Sequence, residues 1–165
     1  MSGLALHVDV DGAENLIRRL NRLDLNDTDM GKLLSTLGEN VVTQTKERFR
    51  AEEGPDGKKW KISRRAREEG GQTLTDNTDL KNSIHRRVTG REVEIGTAKV
   101  YGAIHQFGGV IKPKNGKYLV FGPKSKKVFV KSVTMPARPF LGFSPANEKE
   151  LLSEMNRFVA RRMRM

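Results

Sequence analysis

The hydrophobic period changes twice along this chain, and that order limits the fold more than any other feature. Apolar residues recur at helical spacing up to Phe49. They alternate or cluster in short runs from Ser83 to Thr134, and return to helical spacing from Leu151. A three-to-four-residue step lines one face of a helix, whereas a two-residue step lines one face of a strand. Helices, then strands, then a helix predict an α+β fold. The expected architecture is a mostly antiparallel sheet with helices packed on one face, long N-terminal helices and a C-terminal helix.

The elements can be placed from local signals. Leu4 to Val10 alternates and predicts a short strand. Asp11 with Glu14 three residues on predicts a helix start, and Ala13, Leu16, Ile17, Leu20 and Leu23 form its apolar stripe. Asn26-Asp27-Thr28-Asp29 offers caps for a second, longer helix, whose stripe runs from Met30 through Leu33, Leu34, Leu37, Val41 and Val42 to Phe49. Lys46, Arg48 and Arg50 sit near its end, where cations suit the helix dipole. Glu52 to Gly57 reads as a stop and a turn. Thr75 to Thr78 caps a short helix through Leu80 and Ile84. Ser83–Val88 and Glu92–Thr97 predict a hairpin around Thr89-Gly90-Arg91. Gly109 to Lys112 is a short strand. Tyr118–Gly122 and Lys127–Thr134 predict a second hairpin, looped at Pro123 to Lys126. Met135 to Gly142 carries two prolines that keep it extended. Ser144 caps the last helix with Pro145 at its first position.

Val100 to Gly109 joins the two hairpins. Tyr101, Ile104 and Phe107 follow a three-residue step, so a short helix presents them on one face, and Gly108 and Gly109 end it. The expectation is a helical plug on the sheet with Phe107 buried, like Phe140, and with His105 and Gln106 as a polar pair at its edge. Gly102, lacking a side chain, leaves room for another backbone.

Composition bounds the function. Of 165 residues, 36% are hydrophobic and 31% charged, which suits one domain with a small core. There is no cysteine, so disulfides and thiolate metal sites are excluded. No apolar run has the length of a membrane span, and Met1 to Leu6 lacks the basic region and apolar length of a signal peptide. The net charge of +11 admits nucleic acid, an anionic surface or an acidic protein as partner. Lys58 to Arg67 holds six basic residues and no acid. With the loop after it, it predicts an exposed basic arm over about 55–73, pinned to the body by Trp60. Lys58, Lys61, Arg64 and Arg65 are its candidate contacts.

Catalytic constellations are missing. His7, His85 and His105 show no helical ligand spacing. Ser144 lacks the second glycine of a nucleophile elbow. Gly122-Pro123-Lys124-Ser125 lacks the Gly-Lys-Ser/Thr of a phosphate loop. The reading is no enzyme, no cofactor and no metal. A lone His on a short helix is ordinarily a structural hydrogen bonder.

Six motifs follow one another in order. They are Phe49; Gly54-Pro55-Asp56-Gly57-Lys58-Lys59-Trp60; Asp76 through Leu80 to Ser83-Ile84; Ile95-Gly96; Tyr101 to Gly108; and Pro136-Ala137-Arg138-Pro139-Phe140-Leu141-Gly142. Over about Ala13 to Val159 the chain resembles the phage virion morphogenesis family, the tail completion proteins of Mu-like and P2-like tailed phages. Asn77-Thr78-Asp79 departs from the family's usual turn, and Gly102 stands where Ala is commoner. The resemblance implies one tail-completion-like domain over 1–165, without catalytic residues. It also implies a structural virion protein acting in tail completion and head-tail joining, as a hexameric ring bound to other tail or neck proteins. Such a protein is assembled in the host bacterial cytoplasm. The arm, the 112–117 and 123–127 loops, His105, Gln106 and Arg138 are then the expected contacts. Arg138, on a stiff extended segment, suits a bidentate carboxylate contact with the body or a neighbour. The rival reading is a basic nucleic-acid-binding module, but Trp60 is the arm's only stacking platform, and no helix-turn-helix or zinc pattern occurs. Any DNA binding should therefore be weak and non-specific.

Overall fold

The computed structural model describes residues 4–6, 18, 22, 25–122 and 127–164. The expected first helix lies outside them except for Arg18 and Arg22, which are helical and exposed. The expected strand residues beyond Leu6 and the loop at 123–126 also lie outside.

Helix α1 (Asp27–Ala51) is 25 residues long and starts where the caps predict. The Asn26 side chain accepts from the Asp29 amide at 2.8 Å, Asp27 and Asp29 sit in the first turn, and Arg48 and Arg50 in the last. Glu52 ends it with a left-handed φ of 55°. The chain then doubles back. Gly54 donates to the Lys58 carbonyl at 2.8 Å and Trp60 to the Glu52 carbonyl at 2.7 Å. A short helix α2 (Arg64–Glu69) and a turn-length α3 (Asp79–Asn82) follow. The predicted helix through Ile84 stops early, because Ile84 joins strand β2 opposite Thr97. Thr78 does not cap α3 through its side chain. It takes a φ of 59°, and Asn77 accepts from the Asp79 amide instead.

Among the described residues the strands form antiparallel pairs, as expected for α+β, divided among three sheets. β1 (Leu4–Leu6), β2 (Ile84–Thr89) and β3 (Glu92–Thr97) are ordered β1-β3-β2. The β2–β3 hairpin closes over Gly90-Arg91 with Thr89 opposite Glu92. After helix α4 (Gly102–Phe107) come β4 (Gly109–Ile111), β5 (Leu119–Phe121), β6 (Val128–Val130) and β7 (Val133–Met135). The predicted second hairpin is shorter than expected. β5 pairs with β6, but β7 leaves the ribbon to pair with β4. The chain after Met135 is anchored beside α4, so β4 is the strand β7 finds there. Helix α5 (Pro145–Arg162) begins with the predicted Ser144 cap and Pro145, completed by Asn147 as a reciprocal capping box. α1 packs on β2 and β3 and against α5.

The core gathers Leu33, Leu37, Val41 and Val42 of α1 with Leu80, Ile84, Ile95, Leu151 and Val159. At its end Phe49, Trp60 and Phe140 form an aromatic cluster. The Phe49 ring lies 5.4 Å from Trp60, edge to face, and 5.3 Å from Phe140. No helix among the described residues is long and apolar enough to cross a membrane.

Candidate functional site

Residues 136–142 run extended through the interior without a sheet partner. Buried backbone groups must still be paired, and here side chains do it. The Gln106 Oε1 accepts from the amides of Phe140 and Leu141, each at 3.0 Å, and its Nε2 donates to the Leu141 carbonyl at 2.8 Å. Its carboxamide thus acts as a neighbouring peptide would in a ladder. The Arg48 Nη1 donates to the carbonyls of Phe140 at 2.9 Å and Gly142 at 2.8 Å, and its Nη2 donates to the Asn147 Oδ1. The indole of Trp60 donates to the Pro139 carbonyl at 2.9 Å. The Arg138 amide donates to the His105 carbonyl at 2.7 Å. Three distant parts of the chain, α1, the Trp60 segment and α4, are therefore tied to one strap.

This reverses the expected orientation of α4. Gln106 is only 8% exposed, while Phe107 is 69% exposed and Tyr101 is also exposed. The interior beside α4 contains unpaired strap amides and a carbonyl, which an amide side chain satisfies and an apolar one does not. Helix α4 can approach because Gly102 faces inward, although the neighbour is a side chain and not the expected backbone. A Cβ there would stand 2.7 Å from the Thr97 methyl. At Gly108, with φ of 70°, a Cβ would stand 2.7 Å from the Ala137 amide nitrogen, so this glycine lets the strap pass.

On the other side of the strap lies a cleft of about 740 Å³. Lys61, Arg64, Arg65, His105 and Arg138, three separate stretches of sequence, line it together, with Arg67 beside them. Ile62, Leu74, Tyr101, Val133 and Met135 give apolar lining, and Asp76 and Asp79 the acidic part. Of the other candidates, Lys58 lies outside the cleft, exposed and paired with Asp56 at 3.1 Å, while Trp60 and Gln106 are buried behind it.

The basic segment is tied down at several points. The Thr73 hydroxyl accepts from the Ser63 amide at 3.2 Å, and the Thr73 amide donates to Glu52 at 2.6 Å. Arg65 donates to the Gln72 carbonyl at 2.7 Å, and Gln72 to the Arg50 carbonyl at 3.0 Å. Lys61, Arg64 and Arg67 remain exposed. Within the chain, Arg138 pairs with no carboxylate among the described residues. It is 4% exposed, and its Nε donates to the Lys61 carbonyl at 2.7 Å. Burial lowers its affinity for a proton, as it does for Arg48, where Glu53 partly opposes the effect.

His105 stands half-buried in the cleft wall, its ring edge-on to Tyr101 and its Nδ1 without a hydrogen-bond partner among the described residues. Burial first, and the Arg138 charge second, depress its pKa. The folded state thus favours neutral imidazole, and the unfolded chain takes up the proton first. The stability held by neutral His105 is complete above the unfolded pKa of about 6.5 and is lost as pH falls below it. Urea midpoints at about pH 7.5 and about pH 5.5 should separate further for the original chain than for His105→Gln. Equal separations would remove His105 as a source of acid sensitivity.

Arg48 and Asn147 were not among the candidates. Arg48 did leave a trace, since it continues the buried stripe Val41, Thr45, Arg48. A cation on such a stripe implies a buried acceptor.

Comparison with known proteins bears on what this arrangement serves. No solved structure matches the chain. It is 27% identical over 150 residues to the Mu-like prophage FluMu G protein 2 of Haemophilus influenzae, covering 91% of this chain and 93% of that protein. The phage virion morphogenesis family matches residues 11–160. With nearly the whole domain matched, strap, cleft and ribbons included, the chain belongs to the phage virion morphogenesis family and its role lies in assembly of the phage particle.

Proposed function

We propose that the protein is a structural subunit that completes the phage tail and joins it to the head, acting as a hexameric ring at the tail end. It binds other tail or neck proteins and is assembled in the host bacterial cytoplasm before entering the virion. The family match carries this reading. The cleft supports it, because cations from the basic segment and from the strap surround an apolar lining, which suits an acidic protein surface. Arg138 and His105 set the wall, and Lys61 and Arg67 supply reachable charge, with Arg64 beside them paired to Glu68 at 2.8 Å. Free protein is a monomer, and the ring forms on the tail.

The test is a prophage carrying Lys61→Ser, Arg64→Ser and Arg67→Ser together. Arg65 is left alone because it holds the 70–72 turn through two carbonyls. Exposed charges contribute at most about 1 kcal/mol each, so the fold survives. Induced lysates should contain filled heads and separate tails, with infectious particles down by on the order of 100-fold, the tenfold-per-1.4 kcal/mol scale on which loss of a few charged contacts acts. Lys58→Ser, outside the cleft, should join heads and tails normally. A normal yield from the triple variant would exclude the cleft from joining. Sequence-selective DNA binding that survives physiological salt would favour a regulator instead.

A further inference from the structure

The least satisfied surface of the molecule is neither the cleft nor the core. It is the pair of two-stranded ribbons, β4–β7 and β5–β6. Neither contributes a residue to the core cluster, even as partly buried packing. On β5–β6, Val120 pairs directly across the strands with Phe129, so both side chains share one face. They are 52% and 59% exposed. Phe121 and Tyr118 are also exposed, and on the other ribbon so are Val110 and Ile111. An isolated two-stranded ribbon is marginal in water. Three-residue strands that leave aromatic and branched side chains in solvent need a cover.

Charge says what the cover is. From Ile95 to Asn147 the sequence holds no Asp or Glu. Lys112, Lys114, Lys117, Lys127 and Lys131 are exposed on and beside the ribbons, and none pairs with a carboxylate among the described residues. An apolar centre with a charged rim is the pattern of a protein interface. A second copy of the same ribbon is disfavoured, because lysine would face lysine. Duplex DNA would use the lysines but gain nothing from exposed Val120 and Phe129, since its outer surface is phosphate and its bases are stacked.

We propose that the β4–β7 and β5–β6 ribbons form a docking surface for a protein face with an apolar centre and an acidic rim. This rests on the joining role proposed above, and it identifies a second contact, apart from the cleft. The apolar pair Val120–Phe129 anchors the contact, and Lys112, Lys114 and Lys117 orient it.

The experiment uses the full chain with heads and tails purified separately from a lysogen deleted for this gene. Co-sedimentation is measured at about 50 mM and about 500 mM NaCl, since screening separates charged from apolar contributions. The original chain should sediment with one of the two structures. Val120→Ser with Phe129→Ser should melt like the original, because neither side chain is in the core, and should need about 30-fold more protein for half-saturation, the loss expected of an interface anchor. Val110→Ser repeats the test on the second ribbon if that pair disturbs β5–β6. Lys112→Ser, Lys114→Ser and Lys117→Ser together should weaken binding at low salt and flatten its salt dependence.

Unchanged binding by both apolar variants overturns the inference while leaving the joining role intact. Unchanged binding by the lysine variant overturns the acidic rim. Release of the original chain from the particles by linear duplex DNA marks the ribbons as a nucleic-acid surface. A ring in solution that the Val120/Phe129 variant dissociates makes the occupant a second copy, which also overturns the proposal. If the original chain sediments with neither heads nor tails, the joining role fails and this partner with it.

Discussion

Phe140→Ala should cost ~3–5 kcal/mol, the usual range for a buried aromatic, whereas Phe107→Ala should stay within about 0.5 kcal/mol, as surface changes do. The two residues look alike in sequence, each in an apolar run next to glycine or proline. Phe140 is 0% exposed and packs against Phe49, which in turn meets Trp60. Removing its ring opens a cavity that α1 and the strap cannot close, because each is held by hydrogen bonds to the other. Phe107 points outward from α4 and loses little. Urea melts of the two variants, analysed with a shared slope, decide the matter. A loss below about 1 kcal/mol at Phe140 would take its ring out of the core, and a loss of ~3–5 kcal/mol at Phe107 would mean that α4 is turned the other way.

Arg48→Met should also cost about 3–5 kcal/mol, although it places an apolar side chain in a largely apolar environment. The methionine fills volume but donates nothing. The carbonyls of Phe140 and Gly142 and the Asn147 side chain lose their donor together. Each buried acceptor left unpaired costs roughly 1–3 kcal/mol, reduced here because the groove lined by Arg48 and Asn147 admits water. Arg48→Lys should recover only part of the loss. One ammonium cannot reproduce a planar fork that reaches two carbonyls and a carboxamide. If the Met variant melts within 1 kcal/mol of the original, the strap is held by Gln106 and Trp60 alone.

The joining role proposed above would draw on the same interior, since the strap carries Arg138 into the cleft wall and follows directly from β7. Arg48 variants that fold should therefore lose joining along with stability, whereas variants on the ribbons should lose joining alone.

The positions at which sequence reading failed have one cause in common. Helix periodicity ranks faces by apolarity, and on α4 it selects Tyr101, Ile104 and Phe107. That ranking assumes an apolar interior. Beside α4 the interior is the backbone of a non-sheet segment, and the face that fits is Gly102 and Gln106. The same assumption places Gln106 at an edge, and the position of Arg48 in the last turn of α1, which holds, does not disclose the buried carbonyls it reaches. Likewise the sequence predicts Lys127–Thr134 as one arm of the second hairpin, yet β7 pairs with β4, a choice made by where the strap anchors the chain.

What the sequence determined by itself is local. Caps at Asn26 and Ser144, the stop after Ala51, the Gly90-Arg91 hairpin and the α+β order depend on side chains within a few residues of the backbone they control, so no knowledge of the fold was needed. The conjunction of Lys61, Arg64, Arg65, His105 and Arg138 around one cleft was decided only in three dimensions, as was the exposure of Val120 and Phe129 on a ribbon. So too was the pairing of one strap by Arg48, Trp60 and Gln106. Those features join residues up to 94 positions apart, as from Arg48 to Gly142. Nothing in local spacing encodes which buried carbonyl lacks a partner until the chain has closed around it.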